Sequence, residues 1–221
     1  MAHGASAYAA GVDLPPLRPG LTGRAEASVR LAVPADAELI ARAQLVTWRT
    51  AYRSLLPAAV LDEWDDVAAA SSWRQAITLP PTPGHAVLVA EDAGTLVGFA
   101  AFGPAELGPD ELGPDEATSA EGPTTEVGAL LVEPRWGRRG HGSRLIAAVA
   151  DLARADGTGR LVMWLPEADR VTAGFLESTG WAQDAWTRTL DTGTSTIREL
   201  RWQTLLRDPP PTDPDRAGGA R

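Results

Sequence analysis

Residues 126–145 read "EVGALLVEPRWGRRGHGSRL", Glu126 through Leu145. An apolar run ends on Val132, Pro134 follows, and an amphipathic segment starts near Gly140. A strand that passes through a glycine-rich turn into a helix N-terminus makes an anion site: the first helical amides lack partners, the helix dipole favours negative charge, and glycine lets the backbone approach a ligand. The side chains agree, because within residues 133–145 Arg135, Arg138, Arg139 and Arg144 are set against the single carboxylate of Glu133 in a chain of formal net charge -9. Arginine forks suit phosphate oxygens.

Outward from this stretch the hydrophobic pattern switches repeatedly. Ser28–Val33 alternates as a strand, Pro34 opens a helix, and Leu39, Ile40, Ala43, Val46 and Thr47 recur at helical spacing to about Tyr52. Residues 57–78 read as a second helix, with Asp62, Glu63, Asp65 and Asp66 as its solvated face. His85–Glu91 and Thr95–Gly103 read as strands joined at Asp92-Ala93-Gly94, a hairpin signal. Glu106–Glu121 is an acidic loop with a short internal repeat, and Thr124–Val132 is the strand that leads into the opening stretch. A helix over 140–155, a strand over 160–165, a helix from the cap Asp169 to Gly180, and strands near 181–190 and 197–205 follow. The order β-α-α-β-β-β-α-β-α-β-β predicts a mixed α/β, or α+β, sheet in one domain over 28–206. Residues 1–27 and 207–221, rich in Ala, Gly and Pro, are expected to be disordered tails.

Composition removes several classes of function. The 221 residues include no cysteine, which excludes disulfides and thiolate metal sites. His3, His85 and His141 are scattered, so no metal site is expected. No run reaches the roughly 18 to 20 apolar residues of a membrane span, and the first residues lack a signal-peptide pattern, which predicts a cytoplasmic protein. All 20 basic residues are arginine, a pattern that fits genomic base composition. The acidic balance speaks against nucleic-acid binding and suits a cationic small molecule. Oligomeric state is open between monomer and homodimer.

Three phosphate motifs compete for the loop. A P-loop requires Gly-Lys-Ser/Thr, and the chain contains no lysine. A dinucleotide fingerprint requires glycine three residues after Gly142, where Leu145 stands. The pyrophosphate loop of a CoA-dependent acyltransferase fits better. Here the residues carry a family resemblance: the stretch is similar to the signature of the GNAT N-acetyltransferase superfamily, approximately Leu-x-Val-x-Pro and then Gln/Arg-x-x-Gly-x-Gly/Ala. Leu130-x-Val132-x-Pro134 matches the first half and Arg139-Gly140-His141-Gly142 most of the second. Gly137 departs from the pattern at the Gln/Arg position, with Arg138 beside it. The element order from Ser28 to Leu205 also resembles that of the superfamily.

The resemblance implies a single domain with a mostly antiparallel mixed sheet of six to seven strands and about four helices. It implies an N-acetyltransferase that moves an acetyl group from acetyl-CoA directly to an amine. Leu130, Leu131 and Val132 would pair with the pantetheine arm through their backbone, and Arg138, Arg139, Gly140, His141, Gly142 and Ser143 would wrap the pyrophosphate. His141 is expected to contribute its amide and to leave its ring exposed. An alkylammonium of pKa about 10.4 must be deprotonated, which asks for a base; Glu126 occupies the implied position, and a solvent-facing strand carboxylate is the alternative. Asp169 stands at the family's asparagine position and Leu176 where a tyrosine usually protonates the departing thiolate. That absence favours the rival reading, a non-catalytic acyl-CoA-binding domain on the same scaffold. Trp48 and Tyr52, spaced i,i+4, share one helical face as core packing or as an acceptor-site wall. The acceptor is expected to be a small amine, with aminoglycoside, polyamine, amino acid and protein N-terminus all open.

Overall fold

Val87 and Val89 face one way from their strand while Leu88 and Ala90 face the other, and each pair is buried in a different hydrophobic cluster. A strand buried on both faces lies inside a sheet covered on both sides. The computed structural model describes residues 27–54, 56–105, 122–191 and 196–206. Apart from Ala27, the expected tails lie outside these residues, as does the acidic loop Glu106–Glu121. The strands are β1 (Ala27–Leu31), β2 (Ala86–Asp92), β3 (Thr95–Pro104), β4 (Thr124–Val132), β5 (Arg160–Pro166), β6 (Ala182–Asp191) and β7 (Thr196–Leu205). They form one sheet in the order β1-β2-β3-β4-β5-β7-β6. Only β4 and β5 run parallel; the other neighbours are antiparallel. This is the mixed α/β architecture expected from the element order.

Five α-helices flank the sheet among the described residues: α1 (Ala37–Ala51), α2 (Ala58–Asp62), α3 (Asp66–Thr78), α4 (His141–Ala155) and α5 (Arg170–Ser178). Helices α1 and α3 cover one face, where Ile40, Ala43, Trp73 and Ile77 meet Val87, Val89, Leu96, Phe99 and Leu131. Helices α4 and α5 cover the other, where Leu145, Ile146, Val149, Ala153 and Leu176 meet Leu88, Val97, Val127, Leu130, Leu161 and Met163. Burying each such aliphatic side chain stabilises the domain by about 1.5–3 kcal/mol relative to exposure.

The single helix expected over 57–78 is two. The acidic cluster read as its solvated face marks the break, because Asp65 leaves the helical conformation and its carboxylate accepts from the amides of Val67 and Ala68. A side chain that caps satisfies orphan amides, so an aspartate here starts a helix more readily than it continues one. Pro34 opens a short 3-10 turn, Pro34–Asp36, ahead of α1. Arg30 bridges Asp36 at 2.7 Å and Glu91 at 2.6 Å, tying that turn to the β1–β2 edge. The Arg30 guanidinium holds the Asp36 carboxyl below the usual aspartate range. The Asp92-Ala93-Gly94 hairpin forms as read, with Ala93 at φ 48° and Gly94 at φ 80°.

Gly98 on β3 faces Val132, the last residue of β4. A Cβ there would stand 2.6 Å from the Leu131 carbonyl oxygen and 3.0 Å from the Val132 α-carbon. Gly98→Ala is therefore expected to destabilise the fold by about 1–3 kcal/mol, as overpacking does. Urea denaturation checks this, and an unchanged midpoint would show that the two strands separate without cost.

Candidate active site

Strand β4 has two neighbours at its start and one at its end. Thr124, Thr125 and Glu126 pair with Arg160, Leu161 and Val162 of β5, and that ladder extends no further. On the other side β4 stays with β3 as far as Val132, but the register slips: Ala101 faces Ala129 while Phe102 faces Val127. Gly128 is the extra residue, a β-bulge that bends the strand and increases its twist. Beyond it β4 follows β3 and leaves β5, which remains paired with β7 from Arg160 to Pro166. Half of the backbone groups of Ala129–Val132 thus face away from β3, into the gap between the parted strands. Another extended chain can pair there as an added strand.

The gap leads to the loop. Pro134–Trp136 forms a 3-10 turn, Arg138 and Gly140 both adopt left-handed backbone angles (φ 63° and 80°), and α4 starts at His141. Among the described residues, no carbonyl or side chain accepts from the amides of Arg138 through Ser143. Successive unpaired amides around left-handed residues make an anion-binding nest, reinforced by the dipole of a 15-residue helix. Arg138 and Arg139 are exposed. The Arg139 guanidinium lies 4.7 Å from the centroid of the Trp136 ring, and Arg144 Nη1 donates to the Arg139 carbonyl at 3.0 Å, which braces the turn. Arg135 is engaged by the Glu133 carboxylate at 2.7 Å.

His141 departs from expectation. Its ring is 2% exposed and turns inward, edge-on to Trp136. Nε2 stands 3.1 Å from Asp92 Oδ2 at the tip of the β2–β3 hairpin, near enough for an ion pair with a protonated ring but outside hydrogen-bond alignment. Of this residue only the amide belongs to the nest. At Gly142 a Cβ would meet the Phe175 ring of α5 at 3.4 Å, an ordinary van der Waals contact.

Glu126 lies on the opposite side of β4 from the loop's helix. It lines a cavity of about 370 Å³ on the face covered by α3, together with Gly128, Trp73, His85 and Gly103. Trp48 and Tyr52 are not among the residues lining it. Both are half-buried against the α1–α3 cluster, Trp48 edge-on to Trp64 at 5.4 Å. Tyr52, at the end of α1, shares a 3.3 Å hydrogen bond with the Thr172 hydroxyl of α5, joining the two helical layers. Burial, then the charge of Asp169, raises its phenol above the ordinary tyrosine range. Asp169 caps α5 through Thr172 N, and Leu176 is fully buried in the other core.

A parted strand edge that continues into an anion nest is the arrangement that the resemblance to CoA-dependent acyltransferases implies. The sequence profile of the acetyltransferase (GNAT) family matches residues 43–181, and the chain belongs to that family. It is an N-acetyltransferase with acetyl-CoA as co-substrate and an amine as acceptor. Solved structures with the same fold include yncA of Salmonella typhimurium, a putative acetyltransferase with acetyl-CoA, at TM-score 0.58 and 19% identity over 86% of this chain and 99% of that one. PaiA N-acetyltransferase of Thermoplasma acidophilum, in complex with coenzyme A, gives TM-score 0.60 at 12% identity over 81% and 98%. Ribosomal-protein-alanine N-acetyltransferase of Brucella melitensis gives 0.56 at 20% over 80% and 99%. No curated protein sequence matches the chain. No helix among the described residues is long and apolar enough to cross a membrane.

The left-handed angles yield a test. Glycine adopts them freely while other L-residues are strained by about 1–2 kcal/mol. Arg138→Gly is expected to leave thermal stability unchanged or slightly higher, whereas Gly140→Ala, also crowded by Arg144 Nη1 at 3.0 Å, lowers it. Melting temperatures in the reverse order would show that the turn is not set by these backbone angles.

Proposed function

We propose that the chain acetylates a small amine, with acetyl-CoA held along the parted edge of β4 and the amine presented from the Glu126 cavity. The observation that carries this reading is the bulge residue Gly128, which lies at the end of the β4–β5 ladder and also lines that cavity. The thioester and the amine would meet there from opposite faces of the sheet.

In this reading the backbone of Leu130, Leu131 and Val132 holds the pantetheine arm, and an amide near Leu130 or Leu131 polarises the thioester carbonyl. Such an interaction supplies several kcal/mol in acyl transfer. The amides of Arg138, Arg139, Gly140, His141, Gly142 and Ser143 hold the pyrophosphate, with the two arginine side chains adding charge. Acetyl-CoA supplies an activated acetyl group whose thiol, of pKa about 8.5, is a tolerable leaving group without a dedicated acid. Glu126 is the proton acceptor for the attacking amine. Trp48 and Tyr52, which stand outside the Glu126 cavity, take the packing role of the two readings, with Tyr52 joined to Thr172 of α5.

Two variants separate the two halves of this site. Glu126→Gln is expected to lower kcat by about 10²-fold or more while acetyl-CoA affinity changes little, because only the proton acceptor is lost. Thiol-release rates together with calorimetric binding read both quantities, and full turnover in the variant would place the base elsewhere. The double change Arg138→Ala and Arg139→Ala should instead weaken acetyl-CoA binding by about tenfold or more, from two lost charge-assisted contacts. Unchanged affinity would remove these side chains from the pyrophosphate site.

A further inference from the structure

His85 immediately precedes β2, whose first residue, Ala86, faces Phe102 on β3. His85 therefore faces Gly103, and Gly103 in turn faces Glu126 on β4. The three residues form a row across three strands, with the outer α-carbons about 10 Å apart at ordinary strand spacing. Gly103 has no side chain, and the His85 ring occupies the space where one would be: a Cβ on Gly103 would overlap its Cδ2 and Nε2 edge. The imidazole thus leans across the middle strand toward Glu126, and both residues line the same cavity. Its Nδ1 is already engaged, at 2.9 Å from Thr82 Oγ1 and 3.2 Å from the Thr82 carbonyl. A carbonyl only accepts, so Nδ1 carries the proton and Nε2 keeps its lone pair, the tautomer its partners dictate.

Acetylation of an alkylammonium removes two protons from one nitrogen. The first must leave before the lone pair can attack the carbonyl carbon. The second leaves as the C–N bond forms, the C–S bond breaks, and sulfur departs with the electron pair. One proton ends on the CoA sulfur and the other in solvent. A single carboxylate would have to release the first proton before it could take the second.

We propose that His85 is the second proton acceptor of this site: Nε2 takes the first proton from the bound ammonium and the imidazolium releases one from Nδ1 past exposed Thr82, while Glu126 takes the proton lost during attack. The rest of the described wall is apolar, with Trp73, Ala76, Pro81, Val87 and Pro104. This selects a primary amine on a compact apolar body over a polyamine. The inference rests on the Glu126 reading of the acceptor side.

Its test uses the full chain with acetyl-CoA and 2-phenylethylamine, compared with spermidine. His85→Ala is expected to lower kcat for 2-phenylethylamine by about 10²-fold or more, the usual contribution of one proton-transfer group, with acetyl-CoA affinity unchanged. Free imidazole should restore part of that loss in His85→Ala and none in Glu126→Gln. His85→Gln keeps the volume without the base and should remain as slow as His85→Ala. Wild-type kcat in His85→Ala, or full recovery in His85→Gln with no response to imidazole, would reduce His85 to packing and overturn the proposal. Faster turnover of spermidine would overturn the acceptor class. A slow His85→Ala beside an unaffected Glu126→Gln would leave His85 standing and remove Glu126 as the base, so the two readings fail separately.

Discussion

The parting of β4 from β5 is the constraint on which the rest of the site depends. The parallel ladder is only three pairs long, from Thr124 to Glu126, and the bulge at Gly128 then turns β4 away. A hydrogen bond between strands contributes about 0.5–1.5 kcal/mol net, so leaving these edges unpaired forgoes a few kcal/mol. The opening persists because each strand is held on its outer side: β4 by β3 up to Val132, and β5 by β7 along its whole length. One hydrophobic cluster packs on both β4 and β5 from the α4–α5 face, and the other holds β4 from the α1–α3 face.

From that opening the charge pattern follows. A chain with net charge -9 would repel a pyrophosphate over most of its surface. The loop answers locally, with unpaired amides, a helix dipole and two exposed arginines at one spot. Its stiffness has identifiable sources. Trp136 provides a shelf for Arg139, Glu133 takes up Arg135, and the inward ring of His141 anchors the start of α4 against the β2–β3 hairpin. The histidine between the loop glycines therefore supports the nest from behind.

Features fixed by neighbours in sequence were legible in advance. The turn and helix start that follow Val132, the Asp92-Ala93-Gly94 hairpin turn and the Asp169 cap each rest on contacts within a few residues. The break at Asp65 was local too, but an acidic run on a surface reads equally well as solvated charge, and only the cap hydrogen bonds separate the two. The inward turn of His141 brings its ring to within 3.1 Å of Asp92, 49 positions away, so no local pattern reports it. The alignment of His85 with Glu126 was beyond sequence reasoning for the same cause. It follows from two strand registers and from the one glycine that lets an imidazole cross a middle strand.

Leu176 shows how the two faces divide the work. A hydroxyl at that fully buried position would need a partner inside an aliphatic cluster, and an unpaired one costs about 1–3 kcal/mol. Leucine completes the core instead, closing the α4–α5 face to proton traffic at that point. The titratable groups that line the cavity, Glu126 and His85, lie on the other face, under α3. Tyr52 is the contact between the faces, its phenol held protonated by burial and by the Asp169 charge where α1 meets α5. The anion nest then sits at the head of α4 and the titratable pair on the α3 side, with only the parted edge of β4 between them. A sheet that had kept its β4–β5 ladder intact would separate these groups by a continuous wall of paired backbone.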